Sequence, residues 1–166
     1  KYLDEHPLIR KSIVAHDGHI YYIPYLPDGD VALNWWIRKD WLDKLCLKVP
    51  TTVDELHDVL VAFRDRDPNG NGKKDEIPLF NRQPEEILRL VNLWGARSEG
   101  SDTSGSFYAE DGKMHHPYAE PAFRAAFAHV APWYKDGLIN PDVFIRQRRD
   151  RDELFSSHLV VLSPDW

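Results

Sequence analysis

Apolar positions along this chain alternate between helical and strand spacing, and the changes of spacing mark the elements. Leu56, Val59, Leu60 and Phe63 form one helical stripe over 53–64. Thr52, followed three residues later by Glu55, supplies a capping box at its start. A second long helix is predicted over 119–136, with Phe123, Phe127, Val130 and Tyr134 on its apolar face and Gly137 as its C-terminal cap. Shorter helices are expected over 2–12, 39–46 and 150–157, and from Pro84 to near Gly95, proline being suited to a first turn. Strand patterns occupy 31–37, 77–80 and 159–162. Asp17-Gly18 and Asp111-Gly112, each between β-forming residues, predict hairpins over 14–24 and 107–115. The order is mixed, with helices around a small sheet. The expected class is α/β, a single lobe over 1–166.

Composition narrows the function. With 42% hydrophobic and 29% charged residues, the chain of 166 residues is globular and large enough for a real core. A net charge of −6 argues against a partner with a phosphate backbone, so no nucleic acid is expected. No apolar run approaches the 18 residues or so of a membrane span. Aromatic residues reach 12%, six of them Trp, more than core filling alone needs. Some could offer flat faces to sugars.

The most telling stretch is Asp65-Arg66-Asp67-Pro68-Asn69-Gly70-Asn71-Gly72-Lys73-Lys74-Asp75-Glu76. Oxygen-bearing side chains alternate with glycines, and two adjacent carboxylates close the run. Calcium needs about six to eight oxygens, and a Gly-bearing loop can gather them locally. Counting from Asp65 gives a full EF-hand pattern with Glu76 at the twelfth position. Counting from Asp67 gives the preferred set: Asp67, Asn69, Asn71, the Lys73 carbonyl, Asp75 and Glu76, with Asp65 left to end the helix. An Asn-Gly-rich surface turn without metal is the plain alternative. Ile77-Pro78 follows Glu76 at once, which excludes a second EF-hand helix. An ion here would brace the fold rather than act as a sensor. A loop of this kind with a lone Cys46 fits an exported bacterial protein, because modest calcium affinity suits extracellular concentrations.

Catalytic signatures are missing. There is no zinc pattern among the eight His residues, no G-x-S-x-G, no phosphate loop and no dinucleotide fingerprint. Glu85-Glu86 at a helix start suit the macrodipole better than a paired acid-base role. The chain is therefore expected not to be an enzyme.

The runs Trp36-Ile37-Arg38-Lys39-Asp40-Trp41-Leu42-Asp43-Lys44-Leu45, Leu47-Lys48-Val49-Pro50-Thr51-Thr52-Val53-Asp54-Glu55-Leu56, Asp67 to Pro78 and Tyr134 to Pro141 resemble bacterial extracellular solute-binding proteins of family 1. The likeness is to the lipoprotein receptors of sugar ABC importers, including alginate-binding relatives. It implies the second, C-terminal lobe of a two-lobed type II periplasmic-binding-protein-like fold, part of a much longer chain. It implies an oligosaccharide ligand, ABC permease partners, a monomer, and an extracellular location with a lipid anchor outside this segment. It implies a calcium loop in the Asp67 register. Trp166, after the final strand, resembles a sugar-stacking tryptophan of maltose-binding relatives. Trp35 and Trp36 should face opposite ways, one toward the core and one toward the cleft, the alternative being that both pack against neighbouring helices. Gln83, in a strand-to-helix loop, is a candidate polar contact. Cys46 stands where the family usually has Gly, a substitution that strains a left-handed cap. A calcium-braced, non-catalytic module of a secreted glycoside hydrolase is the alternative function.

Overall fold

The structure is a computed structural model that describes residues 2–24, 34–81, 83–98, 107–145 and 150–165. It separates into two compact units, Lys1–Ala32 and Leu33–Trp166. The first unit holds helices α1 (Tyr2–Glu5) and α2 (Pro7–Ile13). The hairpin expected after them is only a turn. Gly18 N–H donates to the Ala15 carbonyl and Ala15 N–H to the His19 carbonyl, yet residues 14–24 form no strand. Tyr21 and Ile23 lie exposed at 71% and 95%, so β-forming side chains here gain no apolar face to pack on.

The second unit is built on a three-stranded sheet in the order β1 (Asn34–Ile37), β5 (Val160–Asp165), β2 (Ile77–Leu79). The central strand runs antiparallel to β1, with Ile37 opposite Leu162, and parallel to β2, with Leu79 opposite Leu162. Its run Val160-Val161-Leu162 is buried throughout, as a strand covered on both faces requires. Helix α3 (Lys39–Lys44) and helix α4 (Val53–Asp65) follow β1. The capping box forms as expected: Glu55 N–H donates to the Thr52 hydroxyl, and the Thr52 N–H donates to the Glu55 carboxylate.

Helix α4 serves two apolar clusters. Leu56 and Leu60 join the main one with Leu79, Leu90, Val91, Val130, Leu138, Ile139 and Leu162. Val59 and Phe63 join Trp41, Leu42 and Val161 in the second. The segment from Pro84 to Trp94 winds as a 3-10 helix rather than an α-helix. A small hairpin pairs β3 (Tyr108–Glu110) with β4 (Lys113–His115) across Asp111 and Gly112, both at positive φ as the tight turn demands.

Helix α5 (Pro121–Lys135) buries Ala126, Val130 and Trp133. Its core face is therefore rotated from the expected aromatic stripe. Phe127 and Tyr134 remain 38% and 37% exposed, and Phe123 and Phe127 stack on each other along the flank. Helix α6 (Asp150–Ser156) leads into the central strand.

Four helical segments end in the same way. After α3, Cys46 N–H donates to the Asp43 carbonyl and Leu47 N–H to the Leu42 carbonyl, the paired bonds of a Schellman cap. Gly95, Gly137 and His158 occupy the matching left-handed position after the 3-10 helix, α5 and α6. Cys46 holds φ +55°, so the strain anticipated from its sequence position is present. Glycine would relieve that strain but lose more entropy on folding. Cys46→Gly should still stabilise the chain, by about 0.5–1 kcal/mol net. The check is a rise in the urea midpoint with an unchanged slope.

Candidate cation loop and ligand cleft

Helix α4 stops at Asp65 because the chain turns left-handed at Asp67, which adopts φ +45°. The next residues wrap around the Asp67 carboxylate. Its Oδ1 accepts from the Gly70 and Asn71 amides at 2.8 and 3.1 Å, and its Oδ2 accepts from the Gly72 amide at 2.9 Å. Gly70 and Gly72 both stand at φ +78°, which lets their amides point inward. Those amides, Gly72 first, hold the Asp67 carboxyl below the usual carboxylate range.

The remaining predicted ligands close the ring. Asn69 Oδ1 accepts from the Asn71 amide at 2.9 Å, and Asn71 Oδ1 accepts from the Lys73 amide at 2.7 Å. Asn71 Nδ2 donates to both Asp75 carboxylate oxygens at 3.0 and 3.2 Å. Asp67, Asn69, Asn71, Lys73 and Asp75 thus share one hydrogen-bonded loop. Asp65 takes no part in these bonds. Its carboxylate takes two bonds from the Arg64 guanidinium, at 2.9 and 2.8 Å.

Glu76 is the exception in this loop. It is 8% exposed, and neither carboxylate oxygen has a hydrogen-bond partner. Burial, the largest influence, pushes its carboxyl above the usual range; the backbone amides of Glu76 itself and of Asn69 pull it down, and the charges of Asp67 and Asp75 raise it. A buried carboxylate without partners is costly, and a divalent cation is one group that would satisfy it. Among the described residues no three His, Cys, Asp or Glu side chains converge to hold a metal. The Asp67 carboxylate is instead held by backbone amides and the Asp75 carboxylate by the Asn71 side-chain amide. Amide and carbonyl oxygens from Asn69, Asn71 and Lys73 would have to complete a shell around a hard cation.

Beside β1 lies a cleft of about 380 Å³. Trp35, Ile37, Val49, Pro50, Leu93 and Leu162 give it an apolar lining, with Thr51 and Thr52 at the start of α4. Trp35 is 44% exposed and Trp36 is 57% exposed, so neither is a core residue as one of the pair was expected to be. The reason is topological: β1 is an edge strand, and only its last residue, Ile37, packs against the core. Gln83 precedes the 3-10 helix, half-buried, and does not line this cleft. Trp166 lies outside the described residues.

One residue escaped the sequence reading. Asn81 is 1% exposed, and both polar atoms of its side chain lack partners. It follows β2 at the carboxyl end of a parallel strand pair, the edge where α/β sheets commonly carry ligand contacts. A polar residue directly after the apolar run Ile77–Phe80 was the available signal. The Glu85-Glu86 pair splits: Glu85 is exposed, while Glu86 is buried with Arg89 at 3.7 Å.

No protein-family model matches the chain. Three relatives do. It is 34% identical over 152 residues to the fructooligosaccharide ABC transporter substrate-binding protein FusA of Streptococcus pneumoniae, covering 87% of this chain and 28% of FusA. It is 32% identical over 153 residues to the polygalacturonan/rhamnogalacturonan-binding protein YtcQ of Bacillus subtilis, covering 90% of this chain and 29% of YtcQ. A crystal structure of the alginate-binding protein AlgQ2 without calcium ion matches with a TM-score of 0.85 and 48% identity, covering 99% of this chain and 33% of that one. An EF-hand mutant of FusA in complex with fructo-nystose matches with a TM-score of 0.76 and 28% identity, over 99% of this chain and 35% of that one. The chain thus spans under a third of the two curated relatives and about a third of the solved ones.

Proposed function

We propose, proceeding from the fact that this chain belongs to the extracellular solute-binding proteins of family 1, that it is part of a bacterial ABC importer's substrate-binding component. Over the span it covers, the fold is that of the type II periplasmic binding proteins, helix-rich with a small mixed sheet. The relatives are sugar-binding proteins rather than enzymes. The observation that carries the reading is the extent of the likeness: 99% of the chain follows an alginate-binding receptor at 48% identity.

In this reading the chain is one lobe, the second, of a two-lobed receptor that takes an oligosaccharide. Trp35 offers a flat apolar face to a sugar ring at the cleft beside β1, with Trp36 and Trp166 as further stacking residues and Gln83 as a polar contact. Asp67, Asn69, Asn71, the Lys73 carbonyl, Asp75 and Glu76 hold one calcium ion that braces the fold. FusA has an EF-hand, and the AlgQ2 structure is described by its calcium state, which supports a cation loop in this chain too. The partners are ABC permease subunits, the receptor is a monomer, and it works outside the cell, tied to the membrane by a lipid anchor. Among the described residues no helix is long and apolar enough to cross a membrane.

Calorimetric titration of the whole receptor with alginate, galacturonate and fructan oligosaccharides tests this. One class should bind, and Trp35→Ala should weaken it about tenfold, the scale of one lost aromatic contact. Appearance of cleaved products, abolished by changing one acidic pair, would make the protein a hydrolase and overturn the reading.

A further inference from the structure

Lys44, the last residue of α3, reaches out of its own element into the cation loop. Its Nζ donates to the Pro68 carbonyl at 2.6 Å, across 24 residues. That carbonyl sits between Asp67 and Asn69, two of the residues assigned to the ion. The contact is close on a second side: a Cβ at Gly70 would stand 2.9 Å from the same nitrogen. Lys44, Pro68 and Asn69 also line a cavity of about 360 Å³, together with Arg38, Asp40, Trp41 and His158. The neighbouring Lys73 and Lys74 belong to the loop itself and are exposed. Lys44 is held from outside the loop, on a helix whose Trp41 and Leu42 are packed in the core.

We propose that Lys44 is an internal counter-cation of this loop, steadying its carboxylates in the ion-free chain and setting the calcium affinity by opposing the ion. The proposal rests on the calcium reading above. The loop carries Asp67, Asp75 and Glu76 within ten residues, and their mutual repulsion is greatest when no ion is bound. The Lys44 ammonium, held on the carbonyl of the residue after Asp67, offsets part of it. When a divalent ion enters, the same ammonium becomes a like charge, and the cavity it lines gives the side chain room to withdraw. Lys44 therefore favours the ion-free state over the loaded one. That separates it from a purely structural contact, which would favour both.

The test uses Lys44→Met, which keeps the apolar stem, and Lys44→Arg, which keeps the charge. In chelator, Lys44→Met should melt below the unaltered chain. Titrated with calcium by calorimetry, it should bind about three- to tenfold more tightly, and the gain should shrink in high salt. Lys44→Arg should restore the unaltered affinity. Calcium binding by Lys44→Met that is equal to or weaker than in the unaltered chain would overturn this inference alone. If the unaltered chain binds no calcium, the calcium reading falls and takes this inference with it.

Discussion

Removing calcium should lower the melting temperature of this chain by about 5–10 °C when the ion had been present at a hundred times its Kd. Binding to the folded state alone contributes RT ln(1 + [L]/Kd), about 2.7 kcal/mol at that excess. A chain of this size shifts by about 2–4 °C for each kcal/mol. The structural reason is Glu76. Its two carboxylate oxygens are buried and unpartnered, and burial above all, with smaller contributions from the Asp67 and Asp75 charges, raises its carboxyl. An ion at the loop would turn that repulsion into attraction. Asp75→Ala should abolish the sensitivity to chelator, and Asp65→Ala should preserve it, because Asp65 is already engaged by Arg64. Glu76→Gln should raise the melting temperature of the chelated chain by removing the buried charge, while also erasing the calcium effect. Identical melting curves in calcium and in chelator would remove the ion from the proposal. Loss of the effect in Asp65→Ala but not in Asp75→Ala would shift the ligand set to the other register.

The parts of the fold that were legible in the sequence are those fixed by neighbouring residues. Thr52 and Glu55 cap α4 from within one turn, and Asp111-Gly112 closes a hairpin whose two strands, among the described residues, pair only with each other. The loop after α4 could be read because its oxygens, glycines and terminal acids all lie within twelve residues. What escaped depends on distant partners. On α5 two apolar faces compete, and the one carrying Ala126, Val130 and Trp133 is chosen because the core it meets comes from Leu60, Leu90 and Leu138. The Asp17-Gly18 segment carries hairpin residues but lacks a packed face, so it remains a turn. Trp35 and Trp36 alternate as strand residues should, yet both stay exposed because β1 lies at the edge of the sheet. Burial of Glu76 and Asn81 without partners is a property of the assembled fold, and no local spacing announces it.

This 166-residue chain, assayed alone, should bind oligosaccharides only in the millimolar range, about −4 kcal/mol. A longer chain carrying both lobes should bind at least about a hundredfold more tightly. The cleft beside β1 explains the difference. Trp35 and Trp36 keep 44% and 57% of their surface in solvent, and the apolar lining from Val49 to Leu93 forms one wall. A small-molecule site buries most of its ligand, so a single wall leaves the far face of each sugar ring hydrated. Polar groups on that face then bond to water as well as they would to protein, and the net gain from each is small. Two half-sites joined by a hinge recover the lost area, and the first contact raises the effective concentration of the second. Calorimetry of both chains against the same oligosaccharides decides the matter. Equal affinities would mean that the site lies wholly within this chain, and the assignment of Trp35 and Trp166 to a cleft between two lobes would fall.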